Sequence, residues 1–248
     1  MLKLCIISPV NHLKLSLKGD ILYYLSHIDN PKYIRFFRQK KKYKISDNSI
    51  HENKSLNDSI FILRTKTIKA DEIIIPDSMK EARLTINKYK NFMKKYYNKI
   101  KYMNIQAVIQ GKYLGDILDC YKFYVRDKRI DIIGVPFDLT PLELSSEKYE
   151  NQMLNRMVII NKISQLRKKK QVHLLGLNNP FELAILKKYN FIRSNDSKLC
   201  VRCGVNNIRF NNYITKPSLK LDFDKIMSLE QETIAKYNIN YLKKIVEV

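Results

Sequence analysis

Short apolar, β-branched runs alternate along this chain with longer stretches in which apolar positions recur every third or fourth residue. The runs predict strands at 2–8 (LKLCIIS), 43–46 (YKIS), 71–76 (DEIIIP), 105–110 (IQAVIQ), 131–136 (DIIGVP), 172–177 (VHLLGL) and 191–195 (FIRSN). The stretches of helical period predict helices at about 17–28, 32–40, 55–67, 79–99, 113–126, 146–168 and 180–189. Pro180 suits a first helical turn, with Asn178 and Asn179 ahead of it as caps. Seven strands are countable, and 205–210 (VNNIRF) is the place for an eighth. Alternation of this kind belongs to parallel α/β folds. A single-domain TIM (β/α)8-type barrel over 1–215 is the economical architecture, although a doubly wound open sheet shares the pattern. No G-x-G-x-x-G or G-x-x-x-x-G-K-[ST] loop follows any strand, which weakens the nucleotide-cofactor form of the open sheet.

Beyond Phe210 the alternation stops. Residues 216–248 read as a loop and one amphipathic helix packed on the barrel, with Ile226, Met227, Ile234, Tyr241, Leu242 and Ile245 apolar. The basic run 167–170 falls where a helix ends, so dipole complementation and solvation explain it.

Composition adds a partner. Of 248 residues, 46 are Lys or Arg and 24 Asp or Glu, a formal net charge of +22 spread along the whole chain. A polyanion such as nucleic acid is the first inference. Abundant Lys, Asn, Ile and Tyr with few Gly and Ala are also what AT-rich coding produces, which discounts the inference from charge without removing it. The 45% hydrophobic content is enough for a packed core. Four Cys, no signal-like leader and no apolar run near the ~20 residues that span a bilayer lead us to expect a cytoplasmic protein, of a cell or of a phage-infected host, with no membrane partner.

In a parallel barrel the chemistry gathers just past the C-terminal ends of the strands. There the sequence puts Asp47-Asn48-Ser49, Pro76-Asp77, Gln110-Gly111-Lys112, Gly134 to Asp138, Gly176-Leu177-Asn178 and Asn195-Asp196-Ser197. Each group alone reads more readily as a turn or cap. Together they bring three carboxylates, Asp47, Asp77 and Asp196, to one mouth. Such a set suits glycosyl chemistry, in which one carboxylate attacks an oxocarbenium-like carbon and another manages the leaving group's proton. His51 is the only His near the mouth, and His173, inside a strand, reads as a packed or hydrogen-bonded residue.

The order of these motifs resembles the tRNA-guanine transglycosylase superfamily, most of all its short phage-encoded, DNA-modifying relatives. DNSIHE (47–52) is similar to the family's D-S-G-G-F-Q loop, DEIIIPDS to D-I-I-M-x-F-D-E, AVIQGK to G-I-V-Q-G-G, and IIGVPF to A-I-G-G-L. HLLGLNNPFELAILKKYNFIRSND resembles Y-L-M-G-V-G-x-P-E-D-L followed by a helix and a strand that ends in the family's nucleophile, with one extra residue in the spacing. The likeness spans 43–196. It implies base exchange: Asp196 as nucleophile, Asp47 as acid/base, and Asp77 reading the guanine edge. Gln110, Gly134, Asn48, Glu52 and Gly176 would contact the substrate, and no cofactor is implied. DNA or tRNA would be the polymer and a 7-deazaguanine the incoming base. The chain departs from the family at Ser49 and Ile50, where the loop has glycines, and at Glu52, where it has Gln. The family's zinc subdomain has no counterpart: Cys200 and Cys203 form a lone C-x-x-C, Cys5 and Cys120 lack matching spacing, and no metal is expected. Two other readings stay open. One is an N-glycosidase in which Glu52 activates water. The other is a basic nucleic-acid-binding barrel without activity.

Overall fold

The computed structural model describes residues 1–49, 56–138, 149–177, 179–211 and 221–247. Eight parallel strands form one sheet: β1 (Lys3–Ile6), β2 (Leu22–Leu25), β3 (Lys44–Asp47), β4 (Glu72–Ile74), β5 (Asn104–Val108), β6 (Ile132–Pro136), β7 (Gln171–Leu175) and β8 (Ile192–Ser197). Their order is β1-β8-β7-β6-β5-β4-β3-β2. A parallel bridge between Cys5 and Ile21 brings the two ends together, so the sheet is a nearly closed TIM-type barrel. Gly19 makes this seam possible, because a Cβ there would lie 2.8 Å from the Leu4 carbonyl oxygen and 2.9 Å from the Ile6 nitrogen.

Helices cover the outside: α1 (Pro31–Gln39), α2 (Asp58–Thr67), α3 (Ala82–Ile100), α4 (Leu114–Arg126), α5 (Tyr149–Ser164), α6 (Pro180–Leu186), α7 (Leu199–Val205) and α8 (Leu229–Glu247). Local chemistry starts several of them. The side chains of Asn30, Asn57 and Asn179 accept from the backbone N–H two residues on, and Pro31 and Pro180 occupy first turns. Asn179 is thus the cap expected before Pro180, while Asn178 lies outside the described residues. The main core lies between sheet and helices, with Ile73, Ile105, Ile133 and Val172 in one apolar cluster with Tyr89, Ile117 and Ile159. No helix among the described residues is long and apolar enough to cross a membrane.

The barrel follows the sequence pattern except at two places. The helix expected over 17–28 is instead a 3-10 segment, Val10–Lys18, followed by β2. All of Leu22, Tyr23, Tyr24 and Leu25 are buried, so the run has no polar face to mark it as a strand. A short apolar run has no period that separates the two structures, and two adjacent Tyr favour the strand. The eighth strand is therefore β2, and 205–210 closes α7 through a turn with Asn207 at φ 55°.

α7 itself was hidden in the sequence, and it positions the C-terminal helix. A Cβ on Gly204 would meet the Ala235 Cβ at 2.7 Å, so α7 and α8 touch backbone to backbone. Buried Asn238 of α8 donates to the carbonyls of Cys200 and Ile208 and accepts from the Phe210 N–H. Of the apolar positions expected on this helix, Ile234 and Leu242 are buried; Met227 is buried but precedes the helix, and Ile226 is 73% exposed.

Inside the barrel, Arg193 of β8 reaches across to Glu72 of β4, with Nη1 and Nη2 donating to the two carboxylate oxygens at 2.7 and 3.0 Å. Tyr43 also donates to Glu72 (2.8 Å) and accepts from Asn104. Glu72 is fully buried. Removing it would strand a guanidinium that is largely buried. Glu72→Ala is expected to lower the unfolding free energy by about 3–5 kcal/mol in urea titrations, whereas Asp119→Ala, in an exposed pair with Lys122, should stay within about 0.5 kcal/mol. Equal effects would show that the interior pair carries no structural weight.

Candidate active site

The strands deliver Asp47, Asp77 and Asp196 to the mouth of the barrel, in two connected clusters. In the first, Asp196 at the end of β8 is almost fully buried and takes two hydrogen bonds on Oδ1: one from the Gly176 N–H (3.0 Å) and one with Nε2 of His173 (3.2 Å). Oδ2 makes no hydrogen bond among the described residues. Gly176 has φ +72°, the left-handed conformation that favours glycine, and this turns its N–H towards Asp196.

His173 lies on β7, and its ring stacks on Tyr23 of β2 with centroids 5.8 Å apart. β2 and β7 are not neighbours in the sheet, so the stack crosses the lumen. The Tyr23 hydroxyl donates to Oδ2 of Asp47 (3.0 Å), while Oδ1 of Asp47 accepts from the Ser49 N–H (3.0 Å). The stacked pair therefore bridges the two carboxylates named as nucleophile and acid/base. Ser49 has φ 61° and is buried, with its hydroxyl 3.3 Å from that of Ser26.

The second cluster surrounds Asp77. Gln110 donates to Asp77 Oδ2 at 2.6 Å and accepts from the Lys80 N–H at 2.9 Å, so both ends of its amide are engaged. Asn48 donates to the Ile75 carbonyl (2.9 Å) and also hydrogen-bonds Asp77. Burial pushes the Asp77 carboxyl above its ordinary range, against the lowering effect of Gln110 and Asn48. Asp77 is thus poised to hold a proton more readily than a free carboxylate. Exposed Lys80 and Lys112 flank this cluster on the loops after β4 and β5.

Gly134 belongs to the wall. A Cβ there would lie 2.7 Å from the Gln106 Nε2, so any side chain would displace that buried amide. Neither amide atom of Gln106 has a hydrogen-bond partner among the described residues. Glu52 and His51 lie outside the described residues. Cys200 and Cys203 are on α7 and buried in the core; burial raises both thiols, Cys203 to about 11. Among the described residues no group of three or more His, Cys, Asp or Glu could hold a metal ion.

Several supporting residues carry no motif in the sequence. Among the described residues Arg156 of α5 is the largest fully buried side chain, and it grips Glu182 of α6 with two bonds, at 2.6 and 2.7 Å. It also donates to the carbonyls of Leu175 (2.8 Å) and Gly176 (2.9 Å). Its location on a helix of otherwise mixed polarity conceals this role. Tyr23 was hidden because its strand read as a helix. No protein-family model matches the chain, and no curated protein matches it.

The raised Asp77 carboxyl fixes a sign. Folded protein holds this proton in a pH window where the unfolded chain has lost it, so stability falls as pH rises through that window, starting near pH 4. Urea midpoints should decline with rising pH more steeply in the wild type than in Asp77→Asn. Parallel slopes would mean that Asp77 titrates like a free carboxyl.

Proposed function

We propose that this barrel is a nucleic-acid guanine transglycosylase that exchanges a guanine base for a 7-deazaguanine through a covalent Asp196 intermediate. The observation that carries the reading is the pair of carboxylates bridged by the Tyr23–His173 stack, one of which, Asp196, has both its hydrogen bonds on a single oxygen. That leaves Oδ2 to bond the anomeric carbon as the C–N bond to guanine breaks. Asp47 gives its proton to the departing base and takes one from the incoming base, whose nitrogen then displaces Asp196 and restores the N-glycosidic bond. Asp77 accepts from adjacent N–H donors on the guanine edge, a geometry that suits a carboxylate.

Backbone conformation lends support. Ser49 adopts a left-handed φ at a position where the resembling D-S-G-G-F-Q loop has glycine, and Gly176 does so at the glycine of the resembling L-M-G stretch. The formal charge of +22 suits flanking phosphates, and the target nucleotide would leave its stack to reach a buried carboxylate.

Asp196→Asn is expected to remain folded and to lose exchange of labelled guanine into DNA or tRNA by at least about a thousandfold. Nucleoside mass spectrometry on both polymers, from cells expressing either form, identifies the substrate and the new base together. Retained exchange would sink the assignment of the nucleophile. Free guanine without incorporation would instead indicate hydrolysis.

A further inference from the structure

Below Asp196 a single file of hydrogen bonds runs down the barrel. Arg193, paired to Glu72 through both Nη atoms, donates from Nε to Oγ of Ser194 at 3.1 Å. Ser194 Oγ lies 2.8 Å from Nδ1 of His173, and Nε2 of the same ring lies 3.2 Å from Asp196 Oδ1. Ser194 and His173 are fully buried. The directions follow from the donor inventory. A guanidinium N–H can only donate, so Ser194 accepts from below and its one hydroxyl proton is free to point at His173. At the other end a carboxylate can only accept, which calls for a ring proton on Nε2 facing Asp196 and leaves Nδ1 as the acceptor for the Ser194 hydroxyl.

We infer that His173 is a positioning residue for Asp196: held as its Nε2–H tautomer by Ser194 and Arg193, it fixes Oδ1 and so presents Oδ2 to the mouth. Every donor in the file points the same way, and each bond polarises the next. The stacked Tyr23 sets the plane of the ring. The inference rests on Asp196 as nucleophile for its catalytic consequence, but the tautomer can be observed without activity.

Replacing His173 with Gln keeps an N–H donor close to the position of Nε2, and replacing it with Leu does not. In single-turnover formation of the Asp196 adduct, His173→Leu should be slower by roughly 10- to 100-fold, the worth of one hydrogen bond to a charged group, while His173→Gln recovers most of the rate. Gln and Leu variants equally impaired, with matching urea midpoints, would overturn the inference. Independently, 15N-histidine NMR of the wild type should show a neutral His173 ring protonated at Nε2, and Ser194→Ala should populate the Nδ1–H form. A wild-type ring protonated at Nδ1 would overturn it whatever the activity. Exchange that survives in Asp196→Asn, with the Nε2–H signal intact, would refute the nucleophile and leave the hydrogen-bond assignment standing.

Discussion

A charged group inside a parallel barrel loses most of its exposure to solvent, and the Arg193–Glu72 pair meets that constraint by mutual hydrogen bonding. β8 and β4 are remote in the sheet order, so the pair is a crossbar rather than a rung between neighbours. Two consequences follow from its geometry. The carboxylate accepts from two guanidinium N–H groups and the Tyr43 hydroxyl, so both oxygens of this buried group are hydrogen-bonded. The third guanidinium edge, Nε, is left pointing up the barrel, and the polarity of every bond from Ser194 to Asp196 descends from it.

Asp196 is also held from outside the barrel. Arg156 fastens the carbonyls at the end of β7 to the α5–α6 pair, and Asn195 donates to the Leu174 and Gly176 carbonyls from the adjacent strand. The Leu175 carbonyl shares its peptide plane with the Gly176 N–H, so the Arg156 bond to that carbonyl opposes rotation of the N–H away from Asp196. Asp196 is therefore fixed by a lumen ring on one side and a helix-supported peptide on the other. A buried ion pair such as Arg156–Glu182 is a poor source of net stability. Its value here is that it sets the orientation of one backbone turn.

Much of this was legible because topology decides where strand ends go. Once the alternation says parallel barrel, Asp47, Asp77 and Asp196 must meet at one mouth, whatever the details of packing. Partners across the lumen were not legible, since Glu72 and Arg193 are 121 residues apart and neither belongs to a local pattern. His173 was read as packed or hydrogen-bonded, and it is both; what the sequence lacked was the identity of the partner, Asp196. β2 was missed for a different reason. A strand buried on both faces shows neither alternation nor helical period, so its four residues resemble a helix fragment.

The same residue type serves opposite ends of this barrel. Asp20, Asp71 and Asp131 each precede a strand, and each accepts at 2.8 Å from the backbone N–H of the strand before it, at Leu4, Lys44 and Ile105. They satisfy donors at the N-terminal rim, where an unpaired N–H would be costly. Asp47 and Asp196 lie at strand ends and Asp77 just beyond one, and each is in addition engaged by a side chain: Tyr23, His173 and Gln110 respectively. A carboxylate beside a strand thus has no meaning until the direction of the chain is known: ahead of the strand it closes the sheet, and behind it, it faces the mouth. That division lets the N-terminal rim hold the barrel together while the C-terminal rim presents its carboxylates at the mouth.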